Sequence, residues 1–156
     1  MEPFYPPRNF HFSVTVIGAG AGSQQPDADA SFQEIAGMQA KMEVENVIEG
    51  GENRFAYRLP RYVNYSNLVL KRGLVPNGSA LTQWAAAALG GGLALPIETK
   101  DLKISLLNDK GTPMASWTFQ RTYPLRWELA AFNSKGSEVL IETLELAYNY
   151  FFRNRD

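Results

Sequence analysis

Gly18, Gly20 and Gly22 follow an alternating apolar run that begins at Phe10. A strand leading into a glycine-rich bend is how a dinucleotide-binding turn starts, with a helix N-terminus then facing the pyrophosphate. The spacing fails at the third glycine. A G-x-G-x-x-G pattern from Gly18 needs glycine at position 23, where Ser23 stands, and Gln24-Gln25-Pro26-Asp27-Ala28-Asp29 does not open an amphipathic helix. Residues 18–30 therefore read as a loop. His11 is the single histidine and lies on the polar face of the first strand; with no cysteine in the chain it cannot build a structural zinc site. It also lacks the Gly-x-Ser-x-Gly elbow that would supply a nucleophile. Asp27 and Asp29 sit without the oxygen spacing of a calcium loop. Glu142 and Glu145 stand three apart on a strand, so they point to opposite faces and cannot act as an acid and base across one cleft. Lys71-Arg72-Gly73 has no partner that the sequence identifies. The expectation is a chain with no catalytic, cofactor-binding or metal-ligating residues, and no enzyme activity.

The elements that would carry such residues are mostly strands. Phe10, Phe12, Val14 and Val16 alternate with His11, Ser13 and Thr15, the period of a half-buried strand. A short strand over 32–37 precedes a hairpin. Met42, Val44, Asn46 and Ile48 alternate with Lys41, Glu43, Glu45 and Glu49, Gly50-Gly51-Glu52-Asn53 turns, and Phe55, Tyr57 and Leu59 return until Pro60 and Arg61 end the strand. One face of this hairpin is charged and the other apolar. Another strand covers 68–72. Ser79 is placed to cap a helix over 80–89 with Leu81, Trp84, Ala85 and Ala88 on one face, stopped by Gly90-Gly91-Gly92. Strands over 102–107 and 113–121 are joined by Asn108-Asp109-Lys110-Gly111. Strands over 125–133 and 138–148 are joined by Ser134-Lys135-Gly136. Eight or nine strands and one helix imply an all-β sandwich or barrel. Trp84 and Trp117 read as core anchors. The strands over 102–107 and 138–148 carry little edge protection, so they read as open edges that a neighbouring copy would cover.

At 156 residues, 45% hydrophobic and 20% charged, the chain has material for one domain spanning 1–156 with a real core. A net charge of −1 gives no electrostatic footprint for nucleic acid or an anionic membrane. No charge occurs between Gly73 and Ile97, but Pro76, Pro96, the polar run Asn77-Gly78-Ser79 and the three glycines interrupt it, so a membrane span is not expected. The N-terminus has no basic start followed by an apolar run and is not a secretory signal.

Taken in order, several segments resemble the tail tube proteins of contractile phages and related contractile injection systems. They are Phe32-Gln33-Glu34-Ile35-Ala36-Gly37-Met38, Glu49-Gly50-Gly51-Glu52-Asn53, Leu59-Pro60, Leu68-Val69-Leu70-Lys71-Arg72-Gly73, Trp84, Leu106-Leu107-Asn108-Asp109-Lys110-Gly111, Trp117, Pro124, Trp127 and Ile141-Glu142-Thr143-Leu144-Glu145-Leu146-Ala147. Each is weakly specific; their collinear order, from about Phe10 to about Tyr148, is what resembles the family. The resemblance implies a β-sandwich or barrel-like tail tube fold with one helix, whose inner sheet joins those of neighbours in a hexameric ring. Rings would stack into a hollow tube, and the hairpin at 38–59 would pack against neighbouring subunits. Implied partners are other copies of the chain, a sheath protein, the baseplate hub, tube-terminating proteins, and luminal protein cargo, or DNA in a phage; direct membrane insertion is not implied. Assembly in the bacterial cytoplasm, with possible release of the finished particle, is also implied. The alternatives are a tube-initiating paralogue at the baseplate and a ligand-binding β-sandwich using Tyr62 and Tyr65 as its platform. The sequence departs from relatives in the long loop over 18–30, the alanine-rich helix and the uncharged segment over 90–96.

Overall fold

The computed structural model describes residues 10–17, 28–74 and 79–155. Within them the chain runs β1 (His11–Ile17), β2 (Ala28–Phe32), β3 (Glu34–Ala36), β4 (Ala40–Val47), β5 (Tyr57–Tyr65), β6 (Leu68–Gly73), α1 (Ala80–Gly90), β7 (Lys100–Leu107), β8 (Pro113–Ser134), β9 (Ser137–Ala147) and β10 (Tyr150–Arg153). Every ladder is antiparallel. One layer has the order β2-β1-β7-β8, with β10 on the far side of the first half of β8; the other has the order β8-β9-β6-β3. Period-two alternation turns one face of each layer inward. Val14, Leu102, Ile104 and Phe119 of the first layer meet Leu68, Leu70, Leu144 and Leu146 of the second, with Phe32 between them. Leu81, Trp84 and Ala85 of α1 close the same core.

β8 belongs to both layers. Gln120 pairs with Tyr150 in the first layer, and Tyr123 pairs with Ala147 in the second. The change of layer occurs at Arg121, whose φ of 51° is unusual for a residue with a side chain. Its N–H donates to Asp101 Oδ1 at 2.9 Å, which holds the kink. The sequence suggests two strands here, over 113–121 and 125–133; they are one. Pro124 does not break the strand: it pairs with Leu146 beside a register shift, and with no strand on the other side of this half of β8 among the described residues its nitrogen faces the free edge. The same reasoning corrects the end expected at Pro60. β5 continues to Tyr65 because a register shift between Met42 and Val44 places Pro60 beside a bulge. Ala28 to Ala30, read as loop, form strand against β1; the rest of that loop, with Gly18, Gly20, Gly22 and Asp27, lies outside the described residues. β10 was not expected from the sequence.

The expected open edges are also corrected. β7 is flanked by β1 and β8, and β9 by β8 and β6. Among the described residues the free edges of the body belong to β2, β3, β10 and the second half of β8.

Local signals for α1 hold. Ser79 Oγ accepts the Thr82 N–H at 3.2 Å, and Gly91 caps the other end with its N–H on Ala87 O. Among the described residues no helix is long and apolar enough to cross a membrane. β4 and β5 form a separate two-stranded sheet, an arm that among the described residues makes few contacts with the elements of the body. Its roots touch where Gly37, at φ +87°, passes the Asn67 carbonyl, and its base is held by Tyr65, whose ring meets Tyr148 and Phe151 edge-on.

A Cβ at Gly37 would stand 1.8 Å from Asn67 O as well as at positive φ, whereas one at Gly51, φ +105°, would meet nothing. Gly37→Ala should therefore cost more than about 2 kcal/mol and Gly51→Ala about 1 kcal/mol, read as the difference between their thermal midpoints. Tyr148 Oη is buried without a hydrogen-bond partner among the described residues, and burial beside Tyr65 pushes its hydroxyl up to about 12. Tyr148→Phe should hold or raise the melting temperature by up to about 4 °C, since it removes an unsatisfied group worth roughly 1 kcal/mol.

Candidate functional site: a buried ion pair and the surfaces it organises

Alternation places Leu68, Leu70 and Arg72 of β6 on the core side, and Glu142, Leu144 and Leu146 of β9 opposite them. One cation and one anion thus enter the core in direct register, and both are nearly inaccessible, Arg72 at 2% and Glu142 at 4% exposure. Arg72 Nε donates to Glu142 Oε2 at 2.8 Å. Its Nη2 donates to Ser79 Oγ at 2.6 Å and Thr82 Oγ1 at 3.0 Å, reaching the first turn of α1. Glu142 Oε1 accepts from Thr82 Oγ1 and Trp127 Nε1, each at 2.8 Å. The guanidinium also lies over the Phe32 ring, 4.6 Å from its centre. One pair therefore ties β2, β6, α1, β8 and β9 together. Burial alone would push the Glu142 carboxyl up, but the donors Arg72, Trp127 and Thr82 outweigh it and hold it below the ordinary value of 4.5.

The sequence found no partner for Lys71-Arg72-Gly73 or for the glutamates of 141–148; Arg72 and Glu142 are partners of each other. The signal was there in the alternation, which sets each among inward leucines. The expected opposite facing of Glu142 and Glu145 holds. Glu145 lies on the outer face, accepting from Asn67 Nδ2 at 3.0 Å and Arg126 Nε at 3.1 Å, and these bonds hold its carboxyl below the ordinary range. Arg126 also pairs with Glu128.

The remaining candidates are dispersed. His11 is half-buried in β1, opposite Leu107. Asp29 lies in β2, and no cluster of three metal-ligating side chains occurs among the described residues. Tyr62 is exposed on the arm, but Tyr65 packs against Tyr148 and Phe151, so the two do not make one platform. Trp84 is buried, with Nε1–H on Glu98 O at 3.0 Å, and Trp117 packs on the core, as expected. Trp127 is different. Its indole N–H is fixed by Glu142 while 42% of the residue is open. Large apolar side chains are also exposed on the arm, where Met42 is 51% and Ile48 81% exposed. Surfaces of this kind mark contacts with other proteins.

Glu142→Ala removes the buried carboxylate to which Arg72, Thr82 and Trp127 donate and should cost about 3–5 kcal/mol in denaturant unfolding; Arg72→Met combined with Glu142→Leu should recover part of it. Because the folded carboxyl is depressed, its contribution is complete above pH 4.5 and is lost as pH falls below it. An acid titration of stability should therefore fall less steeply below that pH in Glu142→Gln than in the parent chain.

The T4-like virus tail tube protein gp19 family matches residues 8–152. A chain in the baseplate of the anti-feeding prophage is 30% identical, with a TM-score of 0.72 over 99% of this chain and 97% of that one. A chain from the sheath/tube terminator of PVC, an extracellular contractile injection system, in the extended state is 20% identical, with a TM-score of 0.74 over 97% of this chain and 99% of that one. Hcp1 from Flavobacterium johnsoniae shares the fold at 12% identity, with a TM-score of 0.53 over 92% of this chain and 94% of its own. No curated protein matches by sequence. A family match running nearly end to end, on a two-layer antiparallel fold with a projecting arm, means that this chain belongs to the T4-like virus tail tube protein family and is a tail tube subunit.

Proposed function

We propose that the 1–156 chain works as one tail-tube domain whose copies join into hexameric rings, and that the rings stack into the hollow inner tube of a contractile injection system or phage tail. The role is structural rather than catalytic. The observation that carries it is the set of surfaces left open by the fold: free strands at both ends of the second layer, and an arm that its own subunit does not cover. Unpaired strand edges recruit other strands, and closure of a sheet into a ring removes them. In this reading the free edge of β8 in one copy receives the free edge of β3 in the next. The second layer then continues around the ring, and the outer face that carries Lys71 and Glu145 turns towards the lumen. Sheath, baseplate hub and terminator proteins bind the assembled tube, protein cargo or DNA passes within it, and assembly takes place in the bacterial cytoplasm.

A second reading, that the chain initiates the tube at the baseplate, is favoured by one observation. The 30% identical relative comes from a baseplate structure, whereas a chain from the PVC sheath–tube complex is 20% identical. Copy number in the purified particle separates the two: one or two rings' worth of copies for an initiator, many rings' worth for the bulk tube.

Purified protein, alone or with its neighbours' products, should show rings or short tubes by negative-stain electron microscopy. A monomer that persists at high concentration would sink the proposal. The edge is tested by proline. Lys71 O accepts the Gln33 N–H and so faces β3; its partner Glu34 therefore turns its own N–H to β6, and alternation turns the Ile35 N–H to the free side of β3. Ile35→Pro should lower the thermal midpoint through lost packing, keep the far-ultraviolet circular dichroism of the folded monomer, and abolish rings; rings that survive it would exclude β3 as the lateral edge.

A further inference from the structure

The first turn of α1 serves the ion-pair cluster, but its later turns and the uncharged segment after it do not. Together they enclose a crevice of about 160 Å³, lined by Trp84, Ala87, Ala88, Leu95, Pro96 and Glu98. Pockets that hold small molecules run to roughly 300–1,000 Å³, so this one is of a size for one or two side chains. It exists because Ala87 and Ala88 offer only methyl groups to the chain that returns past them. Trp84 is its floor, buried and fixed by an Nε1–H bond to Glu98 O at 3.0 Å. Leu95 is a wall, 65% exposed and packed beside Gly91 at the helix end. The lining is apolar apart from Glu98, which has no ion pair among the described residues.

The chain contains a segment of matching chemistry. Met1-Glu2-Pro3-Phe4-Tyr5-Pro6-Pro7-Arg8-Asn9 lies outside the described residues and leads into β1 at Phe10. It brings two adjacent aromatic rings and a cation to an apolar crevice with one carboxylate at hand. Prolines have little backbone freedom to lose on binding, which is why proline-rich segments suit grooves lined by aromatic side chains. The crevice of the same copy is out of reach. His11 pairs with Leu107 at one end of β7, and Glu98 precedes Lys100 at the other. The eight residues of β7 span about 23 Å. Arg8 stands two residues before Phe10, about 7 Å of chain, and even Phe4 falls about 20 Å along it. Arg8 can therefore meet Glu98 only in another copy.

We infer that residues 4–8 of one copy dock in the α1 crevice of a second copy, with Phe4 and Tyr5 over the Trp84 floor and Arg8 paired with Glu98. Segment and crevice lie at opposite ends of the β1–β7 ladder, so the contact is head-to-tail and propagates from copy to copy. Trp84 is already fixed, so little side-chain freedom is lost on its side. The inference rests on the tube-subunit reading and adds a contact between copies that is separate from the strand edges and the arm.

The chain has no cysteine, so engineered pairs report cleanly. Copies carrying Tyr5→Cys are mixed with copies carrying Ala87→Cys and oxidised. A crosslinked dimer is expected, and none when Thr143→Cys, on the outer face of the second layer, replaces Ala87→Cys. One chain carrying both Tyr5→Cys and Ala87→Cys should stay unlinked when dilute. Removal of residues 1–8, and separately Ala88→Leu, which fills the crevice, should each raise the concentration needed for assembly at least about tenfold with circular dichroism unchanged. Arg8→Glu and Glu98→Arg should each weaken assembly, and the two reversals in one chain should restore it. Rings that form normally without residues 1–8 or with Ala88→Leu, a crosslink that forms only within one chain, or a double reversal that restores nothing overturn this docking and leave the tube reading standing. A parent chain that never assembles overturns both.

Discussion

The Arg72–Glu142 pair is the constraint on which the rest of the second layer depends. An ion pair at full burial is a weak source of net stability, because taking both charges out of water offsets most of their attraction. What it supplies is position. Glu142 can satisfy its oxygens only if β9 stands in one register against β6, if α1 presents Ser79 and Thr82 at its first turn, and if Trp127 turns its N–H inward. A shift of one residue in either strand would put a charge on the wrong face and a leucine in water. The cluster thus converts a slippery pairing of leucine-rich strands into a single arrangement.

That register matters because β8 carries it into the other layer. A strand of 22 residues that changes partners at Arg121 couples the two sheets mechanically, so the core between them has one way to close. The cost is exposure. Among the described residues the second half of β8 has β9 on one side and no strand on the other, and its ribbon with β9 extends past the β6–β9 pairing. In a monomer such a feature would be a liability for aggregation. In a tail tube subunit it is an opening for the next copy. The arm has the same character, since it is too thin to be stable alone and too apolar on one face to be left in water.

Much of the local structure was legible in the residues. Ser79 before an apolar periodic run, Gly111 after Asn108-Asp109, and Lys135-Gly136 between two alternating stretches each mark a boundary through backbone physics that needs no partner. The cap bond, Gly111 at φ +78° and Gly136 at φ +95° follow from that chemistry. Pro60 misled for the converse reason. A proline ends a strand only if its nitrogen is needed by the ladder, and whether a bulge spares it is decided by the neighbouring strand.

The sequence by itself determined that this chain is an antiparallel all-β protein with one helix, and its ordered short segments resembled the tail tube family to which it belongs. Those properties reside in period, turn chemistry and collinear pattern, all of which are local. Which strands lie inside and which lie at edges was decided only in three dimensions, and so was the identity of the ion pair. β7 and β9 looked open because the partners that enclose them, β1 and β6, are far away in sequence. Arg72 and Glu142 each stood visibly among leucines, yet 70 positions separate them, and nothing local says that the one answers the other. Long-range register is set by burying all inward faces at once, and only the folded chain satisfies every strand together.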